Sequence, residues 1–211
     1  MNYTNFKKKV ISFPVISSAD LLLFEGKWQA ARNQLNRWLK KSLVIKLRRG
    51  LYILNENDRK INPSSQYLAN QLYLPSYVSL EYALGFYGLI PERVRDVTSV
   101  TTKKTARFTN SMGSFTYQRI KVEAFQGYNT VKDKAGFNFF IAFPEKAVID
   151  FLYLSLDRIK EPAIDIFESS FRFQNTEDLD DKKIIKMAAL FKNKKLTKLA
   201  HLFCEFIRKE R

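Results

Sequence analysis

The chain has 211 residues and a formal net charge of +15, from 36 Lys and Arg against 21 Asp and Glu. Its 45% apolar and 14% aromatic content fits a folded protein and argues against disorder. No apolar run approaches the ~18 residues that span a bilayer, the longest being stretches such as Phe139–Phe143. The opening MNYTNFKKKV lacks the apolar stretch that follows the charges of a signal peptide. The single cysteine, Cys204, cannot form an internal disulfide and suits a reducing compartment. A cytoplasmic protein without a membrane partner is expected.

The charge is unevenly placed. Residues 1–60 hold 13 Lys and Arg against 4 Asp and Glu, residues 61–179 hold 13 of each, and residues 180–211 hold 10 against 4. A neutral middle thus separates basic ends of +9 and +6, which points to polyanion-facing surfaces at the ends.

Tyr3, Phe6 and Val10 recur at helical spacing with Lys7, Lys8 and Lys9 between them, predicting an amphipathic helix over about residues 2–12. Phe13-Pro14 stops it, because the residue before a proline is pushed out of the α region. Ser17-Ser18-Ala19-Asp20 has the serine-x-x-acid form of a capping box and opens a short helix through Leu21–Phe24, which Gly26 is placed to end. A third helix is predicted over about Lys27–Ser42. At about 100° per residue, Trp28, Ala31, Leu35, Trp38 and Leu39 form its apolar stripe, so both tryptophans are expected in the core. Its opposite side carries Gln29, Asn33, Asn36, Arg37 and Lys40, with Arg32 at the flank. Amides and cations without acids are the groups that read base edges and phosphates in a major groove. The next two β-rich runs, Leu43–Leu47 and Leu51–Leu54, bracket Arg48-Arg49-Gly50 and predict a hairpin with two arginines at its tip. Three helices and a hairpin within about 55 residues is the winged helix-turn-helix order. Its third helix would enter the groove and its wing arginines would grip a phosphate or the minor groove. The expected DNA contacts are Gln29, Arg32, Asn33, Arg37, Lys40, Arg48 and Arg49.

Glu56–Ser65 is polar and holds a proline, which places a boundary between a winged-helix domain over 1–58 and a second domain over 63–211. In the latter, helices are predicted at Gln66–Tyr73 and Leu80–Tyr87, and strands at Val97–Thr102, Arg107–Thr109, Ser114–Lys121 and Phe137–Phe143. Pro144 begins a helix through Leu154, and further helices are read at Pro162–Phe171, Asp180–Phe191 and Leu196–Arg208. The fold class is therefore α+β: a winged helix-turn-helix, then an α+β domain with a small, mostly antiparallel sheet and a basic helical C-terminal tail. Lys182, Lys183, Lys194, Lys195 and Lys198 of that tail either add sequence-independent affinity for DNA or form a solvated face.

The runs YVSLEYALGFYGLIPE (Tyr77–Glu92), DVTSVTTKK (Asp96–Lys104) and FPEKAVIDFLYL (Phe143–Leu154), with the wing LRRGLYIL (Leu47–Leu54), resemble the AbiEi family of antitoxin-like transcriptional regulators over about residues 10–155. The resemblance implies a promoter-binding autorepressor that counteracts a nucleotidyltransferase-like toxin in an abortive-infection operon, without an assured stable complex with that toxin. It implies DNA contacts at Arg48, Arg49 and the third-helix polar face, and no cofactor. Its second-domain motifs are mostly apolar; Glu81 and Glu145 are exceptions, read as capping or pairing within their own helix turns.

Catalytic chemistry finds little to stand on. His201 and Cys204 share a helix face without a second His or Cys to complete a metal set, and their apolar neighbours favour packing. A two-metal nuclease needs converging carboxylates, whereas Glu145-Lys146 lacks the acid-x-lysine spacing and Asp133 stands alone. Neither standard glycine loop for phosphate is present, and no Asp-x-Asp pair follows Gly113-Ser114. The chain is expected not to be an enzyme. The rival readings are a winged helix that contacts protein, and a replication or mobile-element DNA-binding protein without antitoxin activity.

Overall fold

The computed structural model describes residues 2–211, an α+β protein with nine helices, a small antiparallel sheet and a larger mixed one among the described residues. Helix α1 (Tyr3–Val10) is capped by Asn2, whose side chain accepts from the Asn5 amide, and it buries Phe6 and Val10. Strand β1 (Ile16–Ser17) leads into α2 (Ser18–Glu25). The expected capping box forms there: the Ser17 hydroxyl accepts from the Asp20 amide and the Asp20 carboxylate accepts from the Ser17 amide, an arrangement that contributes about 1 kcal/mol. Gly26 ends α2 at φ +74°, a left-handed conformation that favours glycine. Helix α3 (Trp28–Lys40) buries Ala31, Leu35 and Trp38, and Trp38 stacks on Phe6 with ring centroids 4.5 Å apart. Strands β2 (Val44–Arg48) and β3 (Leu51–Leu54) make the hairpin, and the sheet order is β1-β3-β2.

Beyond the hairpin come α4 (Ser65–Leu72), β4 (Ser76–Val78), α5 (Leu80–Phe86), β5 (Val97–Thr101), β6 (Ala106–Asn110), β7 (Gly113–Arg119), β8 (Tyr128–Lys132), β9 (Asn138–Ala142), α6 (Pro144–Leu154), α7 (Ile166–Ser169), α8 (Asp181–Ala189) and α9 (Lys194–Glu210). The six strands from β4 onward form one sheet in the order β6-β7-β5-β4-β9-β8. Three of its five pairings are antiparallel, but β5 pairs with β7 and β4 with β9 in parallel, so the sheet is mixed and, at six strands, larger than the small sheet expected. Three strands escaped the sequence reading: β1, of two residues, β4, only three residues long and buried throughout, and the polar β8, whose burial alternates.

Two further expectations need correction. The helix read at Pro162–Phe171 shrinks to the four residues of α7, because the chain leaves the helix there to pack Phe173 against the rings of both Phe167 and Phe171. The C-terminal segment is no tail. Helix α9 buries Leu196, Leu199, Ala200, Phe203, Cys204, Phe206 and Ile207, and each fully buried large apolar side chain contributes roughly 1.5–3 kcal/mol.

The interior is divided into two clusters. One joins α1, α2, α3 and the hairpin through Phe6, Val10, Leu35, Trp38, Val44, Tyr52 and Leu54. The other fills the space around the six-stranded sheet and also contains Leu47 and Ile53. The hairpin therefore belongs to both. Register explains this: cross-strand partners share a face, and Val44↔Leu54 and Lys46↔Tyr52 alternate with Ile45↔Ile53 and Arg48↔Leu51. The first set faces α3 and the second faces the larger sheet. The Asn110 side-chain amide donates to the Leu47 carbonyl at 3.1 Å and closes the seam.

Candidate nucleic-acid interface

The segment from α1 to β3 presents one surface rich in amides and cations, and α3 makes most of it. Gln29, Arg32, Asn33, Asn36, Arg37 and Lys40 are all exposed, because Ala31, Leu35 and Trp38 turn the opposite side into the core. The Gln29 side-chain amide donates to the Asn33 side-chain oxygen at 3.1 Å, one turn further on, which aligns the two side-chain amides along one line of the helix. Arg32 and Asn36 lie on the flank toward the hairpin, where they line a groove with Lys46, Arg49 and Gly50. Arg37 lies about 140° around the helix from Arg32, on the other flank, and lines no part of that groove. Among the described side chains, Arg32, Arg37, Lys40, Lys46 and Arg49 make no ion pair, whereas Lys7 of α1 pairs with Asp58.

The two hairpin arginines, expected together at an exposed tip, are separated by the structure. Arg49 is exposed and sits at the rim of the α3–hairpin groove. Arg48 shares the face of Leu51, is half-buried, and keeps its Nε buried without a partner. Its Nη1 donates to the Arg49 carbonyl at 3.1 Å. The cause is a bulge between Lys46 and Arg48: one extra residue in a strand re-aims the side chains that follow. Gly50, at φ +83°, makes the turn, and its carbonyl accepts from the Ser18 amide at 3.0 Å, which ties the hairpin tip to the start of α2.

Two members of this surface were missed. Lys46 stands among Val44, Ile45 and Leu47 and reads as an ordinary polar position, but its pairing with Tyr52 puts it on the groove side. Trp28, expected in the core, is 52% exposed and lines the same groove. It is the first residue of α3, with no preceding turn of helix to cover it.

Asp58 holds the α1 end of this unit. It accepts hydrogen bonds from Lys7 and from the Tyr3 hydroxyl, and these two donors, Lys7 first, hold its carboxyl below the ordinary 3.8. Burial, helped by Asp58, raises the Tyr3 phenol above its usual range.

The basic C-terminal residues are differently disposed. Arg208 and Arg211 pair with Asp181, Lys183 lies 3.5 Å from Glu145, and Lys195 donates to the Leu156 and Ile159 carbonyls. Glu145, expected to serve its own helix turn, is instead buried and turned toward α8. Lys182, Lys194 and Lys198 are exposed. His201 and Cys204 line a shallow groove between α8 and α9; burial pushes the Cys204 thiol up to about 11, far from a reactive thiolate. Among the described residues no group of three His, Cys, Asp or Glu is placed to hold a metal ion, and no helix is long and apolar enough to cross a membrane.

The interior of the larger unit holds a charge pair that the sequence did not announce. Lys146 and Asp150, one turn apart on α6, are both fully buried and joined by a salt bridge. Asp150 also accepts from the Tyr77 hydroxyl and the Ser79 hydroxyl, each at 2.9 Å, and Lys146 lies 4.8 Å from the Phe191 ring centroid. Burial raises the Asp150 carboxyl and lowers the Lys146 ammonium. This pair joins the stretch around Tyr77–Ser79 to the stretch around Lys146–Asp150 and opens onto none of the surface grooves described here.

No family model matches the chain, and no curated protein matches it.

Proposed function

We propose that residues 1–58 form a winged helix-turn-helix that binds duplex DNA, followed by a second domain over 63–211, and that the chain is a cytoplasmic autorepressor and antitoxin of the AbiEi kind rather than an enzyme. The observation that carries this reading is the exposed face of α3, built from amides and cations with no acid on it and continued by Arg49 and Lys46 on the hairpin. In this reading Gln29, Asn33 and Asn36 meet base edges, Arg32, Arg37 and Lys40 meet phosphates or nearby bases, and Arg49 with Lys46 grips the adjacent backbone. Arg48 packs between the units and drops out of the contact set. The antitoxin half rests on the family resemblance alone. The functional partner is then a nucleotidyltransferase-like toxin.

The test is titration of the full chain against a duplex of its own upstream region and a scrambled duplex, at several salt concentrations. Preference for the native duplex, with a log–log salt slope that flattens by roughly 0.9 for each phosphate contact removed, is expected. Equal binding to both duplexes would leave only non-specific attraction and defeat the repressor reading. Co-expression with the toxin gene tests the antitoxin half separately: protection that survives Arg49→Ala is expected if the larger unit carries it, and no protection by the parent chain would defeat it.

A further inference from the structure

The groove between α3 and the hairpin has a composition that duplex binding leaves unexplained. Its floor is apolar: Leu21, Ala31, Leu35 and Tyr52, none more than 8% exposed. Its rim carries three cations from two elements, Arg32 on α3 and Lys46 and Arg49 on the hairpin, and among the described side chains no acidic residue lines it. The half-exposed indole of Trp28, one turn of α3 before Arg32, also lines it, and Ser18 and Asn36 add hydrogen-bonding groups. The cavity measures about 640 Å³, within the range of small-molecule sites. A duplex backbone presents phosphates to the rim but has no flat apolar part to fill the floor. A ligand with an aromatic base at one end and phosphates at the other satisfies both.

We propose that this groove binds a nucleoside polyphosphate, with the base over the floor against Trp28 and the phosphates on Arg32, Lys46 and Arg49. A base stacked on an aromatic ring gains about 1–3 kcal/mol, and phosphates on paired cations form charge-assisted hydrogen bonds. Binding of such a ligand stands apart from the DNA reading. Its consequence rests on that reading: Arg32, Lys46 and Arg49 cannot serve a nucleotide and a DNA backbone together, so the ligand releases the promoter.

Calorimetric titration of the full chain with ATP, adenosine and inorganic tripolyphosphate tests the site, with tryptophan fluorescence as the locating signal. Trp28 is the exposed indole, while Trp38 is buried against Phe6. The expected result is one ATP per chain, tighter than either fragment, with saturable quenching of Trp28 and a loss of about tenfold in Arg32→Ala and in Arg49→Ala. Both arginines are exposed, and thermal unfolding confirms that the variants fold. Lys182→Ala, remote from the groove, should bind as the parent does. Tripolyphosphate binding as tightly as ATP, several ATP per chain, or indifference to both arginines would overturn the site. ATP that binds as expected but fails to displace the promoter duplex would overturn the competition alone. Failure to bind DNA in nucleotide-free buffer bears on the regulator reading and leaves the site standing.

Discussion

The two basic ends of this chain are similar in charge and differ in how many of their cations the fold engages, although Lys182, Lys194 and Lys198 of the second end stay exposed. On α3 and the hairpin, Arg32, Arg37, Lys40, Lys46 and Arg49 face outward and, among the described side chains, have no acid within ion-pair distance. On α8 and α9, Arg208, Arg211, Lys183 and Lys195 are turned back onto Asp181, Glu145 and backbone carbonyls. Lys146, in the middle of the chain, takes that inward use to its limit, fully buried beside Asp150. Net charge alone therefore does not mark a polyanion surface. What marks it is a set of cations that the fold leaves unpaired on one face, since a paired cation must give up its partner before it meets a phosphate.

The buried pair in the neutral middle gives the largest expected effect. Asp150→Ala leaves Lys146 buried and uncompensated, and should destabilise the chain by about 3–5 kcal/mol, while an Asp150→Leu/Lys146→Met double variant should recover most of that loss. Urea unfolding measures both; a single variant that costs under about 1 kcal/mol would show that water reaches the pair.

Next in size is the outward surface. Removing Arg32, Lys46 and Arg49 together should weaken promoter binding on the order of a hundredfold and flatten the salt slope by about 2.7. The matching Lys182, Lys194 and Lys198 triple variant is the counterweight. If it flattens the slope as much, the contrast between the two ends fails.

Asp58 offers a smaller effect with a definite sign. Its carboxyl is held below 3.8 by Lys7 and Tyr3, so its contribution is present at neutral pH and is lost as pH falls below about 4 toward its folded value. Asp58→Asn should cost about 1–2 kcal/mol at pH 7, and the gap from the parent should close in acid. A gap that stays constant from pH 7 to pH 3 would remove the ion pair from the account.

The smallest expected change separates the two hairpin arginines. Arg49→Ala should lower the salt slope by about 0.9 and Arg48→Ala should leave it nearly unchanged. Equal slopes in the two variants would return Arg48 to the DNA surface.

Much of this was legible in the residues themselves because it is local. The capping box at Ser17 and Asp20, the stop at Gly26, the amphipathic period of α3, the turn at Gly50 and the start of α6 at Pro144 are set by neighbours within one or two turns of chain, and each stands where the pattern puts it. So does the polar face of α3, which is why most of the candidate surface could be named in advance. Tertiary structure decided the rest, by long-range packing. Three-residue β4 becomes a strand only between β5 and β9, and the basic C-terminal helix becomes core because α6 and α8 cover its apolar side. Lys146 and Asp150 look like surface charges until Tyr77 and Ser79 arrive from some 70 residues away. A bulge of one residue takes Arg48 off the face that Lys46 occupies, and the larger sheet claims the face to which it turns. A sequence records which side chains alternate, but which face of a hairpin meets water depends on what packs against the other.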